Sequence, residues 1–341
     1  MSSETIDALV CNSPGELVIA QLPPPVRQAD DVLVRPRRVG ICGTDYHIYE
    51  GKHPFLQYPR IMGHELAVEV LEAPAGSGFA PGEICVVNPY VSCGTCVACR
   101  NGKPNCCVSI AVLGVHRDGG MATQLTLPAR NLVRAEGLST DACATVEFLA
   151  IGAHAVRRGA VTKGDRALII GAGPIGLGAA LFAKLSGATI TVLDLDEARL
   201  AVAKDMLGAN VIKAGDTARD EVARLTSGES FDIVFDATGN PQSMQKGFDF
   251  VGHGGRYVLV SVVKSAITFE DADFHRKEMT LLGSRNATSQ DFERVIAAIR
   301  DGLVPLDRII THRTTLAGAV TDLPLWATTK TGLIKALIAI D

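Results

Sequence analysis

The spacing of apolar residues changes along the chain and predicts two kinds of secondary structure. In the first third, short apolar runs alternate with glycine and proline, which is typical of short, irregular β-strands. The strands predicted there cover residues 32–34, 66–71, 84–87 and 124–127. The short basic stretch 35–38 is interrupted by Pro36, and we expect it to be a solvated strand or turn.

A second pattern begins at residue 166, where apolar runs of strand length alternate with longer, helix-like stretches. This alternation indicates an α/β fold with a parallel, doubly wound sheet. After residue 286 the pattern predicts one amphipathic helix, 291–300, and a mixed ending. The strands predicted in the second pattern are 167–170, 189–193, 232–236, 256–263 and 279–282, and the helices are 177–185 and 197–207.

Length and composition narrow the classes of protein. A chain of 341 residues is too long for one typical core, so two domains are expected. The net charge of −4 offers nothing that would recruit nucleic acid or an acidic membrane surface, so neither is expected as a partner. The longest uncharged run, 167–183, is shorter than the ~20 residues of a membrane span. The first ten residues lack a secretory signal pattern, which predicts a reducing, cytoplasmic location.

Five of the nine cysteines lie in the segment CGTCVACRNGKPNCC, residues 93–107. A reducing compartment disfavours disulfides, and a lone redox pair needs no third or fourth thiol. A ferredoxin-type iron–sulfur run would need cysteine where Lys103 stands. Four thiolates gathered by glycine-rich turns suit tetrahedral zinc, and a shell of four protein ligands makes such a site structural. The predicted ligands are Cys93, Cys96, Cys99 and either Cys106 or Cys107.

A second set of metal-binding side chains is spread over separate segments. Cys42 lies in GICGTDYH, and His64 and Glu65 lie in GHE. Each is ordinary alone, but together they offer a thiolate, an imidazole and a carboxylate, and three protein ligands plus water are typical of catalytic zinc. Glu147 is a further candidate, because an unpaired carboxylate in its apolar run would be costly to bury. The alternative for Glu147 is a charge at a helix N-terminus.

Polar residues next to Cys42 suggest a proton path. The hydroxyl of Thr44 and the imidazole of His47 can pass a proton from a metal-bound alcohol to solvent. Asp45 is placed to hold a metal-ligating histidine in one tautomer. The alternative for all three is ordinary turn chemistry, which Gly-Thr-Asp favours.

The segment GAGPIG, residues 171–176, matches the pattern GxGxxG between a predicted strand and a predicted helix. That context is the one in which the glycines let backbone approach a pyrophosphate at a helix N-terminus. Asp194 ends the next predicted strand, where a carboxylate accepts hydrogen bonds from ribose hydroxyls and repels a 2′-phosphate. The sequence therefore predicts NAD rather than NADP. The alternative for Asp194, a helix N-cap, suits Asp196 better.

These motifs occur together in one family. With GICGTDYH, GHE, CGTCVACRNGKPNCC and GAGPIGLG, the sequence resembles the zinc-containing medium-chain alcohol dehydrogenases over nearly its full length. The resemblance implies a GroES-like β-rich catalytic domain, residues 1–150 and 288–341, around a Rossmann NAD-binding domain, residues 151–287. It also implies two zinc ions per subunit. The catalytic ligands would be Cys42, His64 and either Glu65 or Glu147, and the structural set would use Cys107 rather than Cys106.

The same resemblance implies the remaining contacts and the substrate class. Other branches of the family have cysteine where this chain has Glu147, and the segments 112–120 and 274–288 are similar to those of sugar-acid dehydrogenases. The implied reaction oxidises a secondary hydroxyl of a small-molecule sugar acid of the L-galactonate or L-gulonate type, with NAD, in a homodimer or homotetramer. Implied cofactor contacts are Gly171, Gly173, Pro174, Ile175, Gly176, Asp194, Arg199 and Thr238, and implied substrate contacts are Arg285, Asn286 and His116.

Alternatives to this activity remain open. Within the family, the substrate would be a sorbitol-like polyol, L-threonine or a simple secondary alcohol. Outside it, the chain would be a non-catalytic protein that binds zinc and a dinucleotide. Arg285 offers a guanidinium for a substrate carboxylate or for orienting Glu147, and its alternative is a structural ion pair.

Overall fold

The computed structural model describes residues 5–52, 56–329 and 331–340. The chain forms two compact units: Met1–Glu147 with Thr288–Asp341 is unit 1, and Phe148–Ala287 is unit 2. Residues 1–4, part of the segment that argued against a secretory signal, lie outside the described residues. Within those residues, no helix has both the length and the apolar character that crossing a membrane requires.

The strands are numbered along the chain. Those that precede unit 2 are β1 (Ile6–Ser13), β2 (Glu16–Leu22), β3 (Asp31–Ile41), β4 (Arg60–Ile61), β5 (Glu65–Glu72), β6 (Ile84–Val87), β7 (Tyr90–Val91), β8 (Ala111–Val112), β9 (Leu125–Pro128) and β10 (Leu132–Arg134). Unit 2 contains β11 (Arg166–Ile170), β12 (Thr189–Asp194), β13 (Asn210–Lys213), β14 (Phe231–Asp236), β15 (Val251–Leu259) and β16 (Thr280–Gly283). Unit 1 resumes with β17 (Ile310–Thr315) and β18 (Lys335–Ala339).

The helices follow the same numbering. Those up to the unit boundary are α1 (Gly43–Tyr49), α2 (Val97–Arg100), α3 (Thr140–Cys143) and α4 (Val146–Arg158), which crosses the boundary. Unit 2 adds α5 (Pro174–Leu185), α6 (Glu197–Leu207), α7 (Ala218–Thr226), α8 (Pro241–Lys246) and α9 (Asp271–Arg276). The last are α10 (Ser289–Arg300), α11 (Leu306–Ile309) and α12 (Ala319–Thr328). Short 3₁₀ helices cover Pro104–Cys106, Ala129–Asn131 and Gly247–Phe250.

Unit 1 is built mainly from β-strands. Its largest sheet has the order β10-β6-β5-β3-β18-β17, with β9 also paired to β3. Smaller sheets are β2-β1-β4 and β7-β8. β3 runs antiparallel to both β5 and β18, so the start of β5 and the start of β18 both lie beside the end of β3. This register brings together residues that are far apart in the chain.

Unit 2 contains one parallel sheet with the order β13-β12-β11-β14-β15-β16. The central strands are buried on both faces, as in β11, where Ala167–Ile170 are almost fully inaccessible. The predicted doubly wound parallel sheet is therefore confirmed. The strand predicted at 256–263 is wrong at both ends, because β15 begins earlier, at Val251, and ends at Leu259. There its neighbours β14 and β16 also end, at Asp236 and Gly283.

The structure also decides between the two forms expected for the basic stretch and adds elements to the last part of the chain. The basic stretch 35–38 is a strand, within β3, and the register shifts between Pro36 and Arg38 because proline has no N–H to donate. The region after residue 286 holds more than the one predicted helix. Two further helices, α11 and α12, and two strands, β17 and β18, follow α10. Pro324 lies inside α12 and breaks the helical signal in the sequence.

Candidate active site and metal centres

The cysteine-rich segment folds its thiols onto one point. The Sγ atoms of Cys93, Cys96, Cys99 and Cys107 all lie within 4.8 Å of one another, and Cys106 is outside this group and exposed. The Cys96–Cys99 and Cys93–Cys107 sulfur pairs are each 3.5 Å apart, too far for a disulfide, and all nine cysteines are free. Hydrogen bonds from the backbone and hydroxyl of Thr95 lower the pKa of Cys93 to about 6. Four thiols gathered this closely fit a tetrahedral metal ion.

The second donor group forms where β3 ends and β5 begins. Gly40 pairs with Glu65 across these strands, so that Cys42, next after β3, lies near His64 and Glu65. One donor atom of each of these three side chains lies within 4.8 Å of the others. His64 and Glu65 are buried and Cys42 is half-buried. A Cβ at Gly40 would overlap Oε2 of Glu65, so this position requires glycine.

Asp45 braces this group rather than hydrogen-bonding the histidine ring. Its fully buried carboxylate accepts the N–H of Cys42 at 2.8 Å and that of Gly63 at 3.3 Å. In the described part of the chain, Nδ1 of His64 has no hydrogen-bond partner, so the expected bond to that atom is not formed. Burial disfavours the charged imidazole, but the charges of Cys42, Asp45 and Glu147 outweigh it and hold the pKa of His64 well above its usual value. The donor set is thus strongly attractive to a cation.

Glu147 and Glu65 have different partners, and both partners escaped the sequence analysis. Glu147 is buried at the start of α4 and accepts a hydrogen bond from the phenol of Tyr90. Glu65 forms an ion pair with Lys335, whose Nζ lies 2.7 Å from each carboxylate oxygen. A signal for Lys335 existed, since it stands in the apolar run LIKALIAI, as Glu147 stands in its own. A buried charge in such a run needs a partner of opposite charge or a hydrogen bond.

The proposed proton path lies on α1. The hydroxyl of Thr44 is 3.8 Å from Sγ of Cys42 and is half-buried. His47, three residues further, is exposed in the last turn of the helix. Residues at this spacing are neighbours on a helix surface. The hydroxyl of Thr44 therefore lies next to the proposed metal ligand Cys42, while His47 is exposed to solvent.

The glycine turn joins β11 to α5 in unit 2. Gly171 has a φ of +100°, which favours glycine, and a Cβ at Gly176 would overlap the carbonyl oxygen of Gly171. A Cβ at Gly173, the N-cap of α5, would meet nothing within 4 Å. Pro174 and Ile175 open the helix. Open space at a helix N-terminus fits a pyrophosphate, so the turn suits a dinucleotide.

The polar residues around this turn already make hydrogen bonds or ion pairs within the protein. Asp194 accepts the N–H of Ala172 at 2.5 Å and that of Asp196 at 2.8 Å. Asp196 is the N-cap of α6, as expected, and its carboxylate lies 3.8 Å from Nε of Arg199. The hydroxyl of Thr238 donates to the buried Asp236 at 2.7 Å. These contacts fix the ends of β12 and β14 beside Gly171.

The residues expected to contact substrate do not form one cluster within either unit. Arg285 and Asn286 belong to unit 2, in the segment after β16, and His116 belongs to unit 1. Arg285 is exposed and Asn286 has a φ of +53°. Nδ1 of His116 accepts the N–H of Val112 at 3.2 Å, which closes a turn.

Known proteins similar to this chain cover almost all of it. A model of the zinc-binding dehydrogenases matches residues 174–301, and one of the alcohol dehydrogenase GroES-like domain matches residues 28–137. L-galactonate-5-dehydrogenase of Escherichia coli K12 is 41% identical over 91% of this chain and 92% of its own length. 2-dehydro-3-deoxy-L-galactonate 5-dehydrogenase of Pseudoalteromonas atlantica is 33% identical over 85% of this chain and 86% of its own length.

A solved structure shares this fold over the whole chain. An alcohol dehydrogenase, RspB, from Escherichia coli CFT073 in complex with NADH has a TM-score of 0.93 and 29% identity, covering 99% of this chain and 100% of that one. The expected combination of a GroES-like domain with a Rossmann-type sheet is confirmed. Since the likeness extends over whole chains and not only over motifs, this protein belongs to the zinc-containing medium-chain alcohol dehydrogenases and is a zinc- and nicotinamide-dependent dehydrogenase.

Proposed function

We propose that this protein oxidises a secondary hydroxyl of a sugar acid of the L-galactonate or L-gulonate type and transfers the hydride to NAD. The observation that carries the reaction type is the convergence of Cys42, His64 and Glu65 within 4.8 Å. The substrate class is supported by the two relatives above, both of which are named as dehydrogenases acting at position 5 of galactonate-type acids.

The donor chemistry supports a catalytic zinc at Cys42, His64 and Glu65. Thiolate, imidazole and carboxylate are the ligand types that zinc prefers, and three protein donors leave a position for substrate. Zinc bound there acts as a Lewis acid that lowers the pKa of the substrate hydroxyl. Glu147, buried beside this group, is the proposed alternative donor during ligand exchange. Structural zinc is proposed at Cys93, Cys96, Cys99 and Cys107.

The residues of the chain supply the rest of the mechanism. Oγ1 of Thr44 accepts the proton of the substrate hydroxyl and hands its own to His47, whose exposed ring releases it to water. Asp45 keeps the backbone of Cys42 and Gly63 in place during this step. The guanidinium of Arg285 is proposed to bind the carboxylate of the acid, with Asn286 and His116 as further substrate contacts.

NAD is proposed at the glycine turn, residues 171–176, where it provides the hydride acceptor. The acidic side chain of Asp194 supports NAD over NADP, since it would accept bonds from ribose hydroxyls and repel a 2′-phosphate. Arg199 and Thr238 are proposed as further contacts. By this assignment unit 1 is the catalytic domain and unit 2 the NAD-binding domain. A homodimer or homotetramer in the cytoplasm is part of the same proposal.

The proposal is tested by following NADH formation with L-galactonate, L-gulonate, D-sorbitol and L-threonine, each with and without a zinc chelator. We expect turnover of an aldonate alone, lost when zinc is removed. Turnover of sorbitol or threonine instead would keep the zinc chemistry and overturn the substrate class. Inactivity toward all four, in protein that binds both zinc and NAD, would overturn the proposed substrate class.

A pair of cysteine variants tests the catalytic zinc directly. Cys42→Ser is expected to abolish turnover while NADH still binds, because the glycine turn is untouched. Cys106→Ser is the matched control, since Cys106 is an exposed cysteine outside both donor groups, and it should retain turnover. Retained activity in zinc-quantified Cys42→Ser protein would overturn the assignment of Cys42.

A further inference from the structure

A lysine of unit 1 is buried against one of the proposed zinc ligands. Lys335 is 2% exposed and Glu65 is fully buried. Nζ of Lys335 lies 2.7 Å from Oε1 and 2.7 Å from Oε2 of Glu65, and it also donates to the carbonyl oxygen of Ile41 at 3.0 Å. The ammonium group of Lys335 therefore contacts both oxygens of the carboxylate that would bind the metal.

The backbone fixes this arrangement. Lys335 is the first residue of β18, and the next residue, Ala336, pairs with Ile41 at the end of β3. Glu65 is the first residue of β5 and pairs with Gly40 on the other side of β3. Both ends of the ion pair thus stand on strands of one sheet, on either side of β3. Its short contacts follow from strand register rather than from a flexible surface approach.

The ion pair gives Glu65 a counter-ion that does not depend on metal. A buried carboxylate without a partner is strongly unfavourable, whereas one paired with a hydrogen-bonded ammonium is tolerated. Any charge that the ammonium neutralises is not available to a second cation, and two cations on one carboxylate repel each other. Glu147 differs here, because its hydrogen-bond donor, Tyr90, is a neutral phenol.

We propose that Lys335 is a positioning residue that competes with the metal for Glu65 and makes Glu65 the weakest, most exchangeable donor of the group. The inference rests on the zinc site proposed above and deepens it. When Glu65 dissociates from the metal, Lys335 keeps its carboxylate paired and in place, so the donor group keeps its arrangement. Cys42 and His64, which have no such competitor among the contacts described, hold the metal throughout.

The test is the rate at which zinc leaves the full-length protein for an excess of a colorimetric chelator. The catalytic pool is identified as the one missing from Cys42→Ser protein. Lys335→Met removes the ammonium with little change of volume, and we expect it to slow release of that pool on the order of tenfold. Lys335→Gln, which keeps a hydrogen-bond donor for Glu65 but no charge, should show the same direction and serves if the methionine variant does not fold.

A comparison in a second background separates competition from simple packing. In Glu65→Gln protein the carboxylate is gone, so adding Lys335→Met should leave zinc release unchanged. If the lysine variants release the catalytic zinc as fast as the parent or faster, the inference is overturned. An equal slowing with and without Glu65 would also overturn it. If the parent holds no zinc pool that Cys42→Ser lacks, the proposed catalytic site itself fails.

Discussion

The phenolic hydroxyl of Tyr90 donates a hydrogen bond to Oε1 of Glu147, and both side chains are buried. Burial raises the pKa of Glu147 to about 7, while the nearby His64 and the bond from Tyr90 act in the opposite direction. Tyr90 thus stabilises the ionised carboxylate in a site that would otherwise favour its protonated form. The two residues connect β7, next to the cysteine-rich segment, with the start of α4.

Removing that hydroxyl should destabilise the protein. Tyr90→Phe leaves the buried Glu147 without its phenolic donor, and we expect the free energy of unfolding to fall by about 1–3 kcal/mol. Urea unfolding at pH 7.5 measures the change. In the Glu147→Gln background the same substitution should cost less, since no charged acceptor remains. Equal stability of Tyr90→Phe and the parent would show that the bond contributes nothing.

Two glycines of the turn are expected to respond differently to alanine. At Gly173 an added Cβ meets only open space, so Gly173→Ala should unfold at the parental temperature yet bind NADH at least about tenfold more weakly, because it fills the space proposed for the pyrophosphate. At Gly176 the Cβ would overlap the carbonyl of Gly171, so Gly176→Ala should lose about 1–3 kcal/mol of stability as well. Thermal unfolding and NADH fluorescence titration measure both. Unchanged NADH affinity in Gly173→Ala would contradict the placement of the cofactor.

The proposed structural zinc can be tested with two cysteines of the same segment, one inside the thiol cluster and one outside it. Cys93→Ser removes one of four clustered thiols and should reduce zinc from two to one per subunit and lower the unfolding temperature, since a structural zinc contributes to folding. Cys106→Ser, in the same segment but outside the cluster, should retain both metal ions. Metal analysis by mass spectrometry gives the count. Loss of zinc from Cys106→Ser and not from Cys93→Ser would reverse the ligand assignment.

Three buried thiols predict the response to alkaline pH. Burial raises the pKa of Cys11 to about 11 and those of Cys85 and Cys143 to about 12. A raised pKa means that the protonated form is favoured in the folded state. Its contribution to stability is therefore fully present below about pH 9 and is lost as pH rises toward 11–12.

Cys143→Ala should accordingly lose less stability between about pH 9 and pH 12 than the parent does. Urea unfolding at a series of pH values gives the two slopes. Cys106→Ala, at an exposed position, should follow the parent curve. Parallel curves for Cys143→Ala and the parent would exclude Cys143 as a source of the pH dependence.

The hydrophobic pattern predicted elements in both units closely, and the strand predicted at 84–87 has the bounds of β6. The helix predicted at 197–207 has the bounds of α6, and the strand predicted at 189–193 is β12 without its last residue. Strand ends were less certain, because β15 stops where its neighbours stop rather than where its apolar run stops. Helix α12 was missed because propensity counts against Pro324 while tertiary packing of Leu323 and Trp326 favours the helix.

The site was predicted as residue types and not as contacts. That Cys42 and Glu65 meet depends on the pairing of Gly40 with Glu65, which no local pattern contains. Whether Glu65 or Glu147 stands in the donor group could not be decided from spacing. In the structure Glu65 is grouped with Cys42 and His64, and the partners of the two glutamates, Lys335 and Tyr90, come from distant strands.

The ion pair between Lys335 and Glu65 joins residues 270 positions apart, with all of unit 2 between them. Contacts at such separation cannot form until the ribosome has made both strands, whereas unit 2 is continuous and pairs its strands internally. During synthesis Cys42, His64 and Glu65 are therefore available long before Lys335. The part of the unit 1 sheet in which β5, β3 and β18 lie side by side can therefore close only after the whole of unit 2 has been translated.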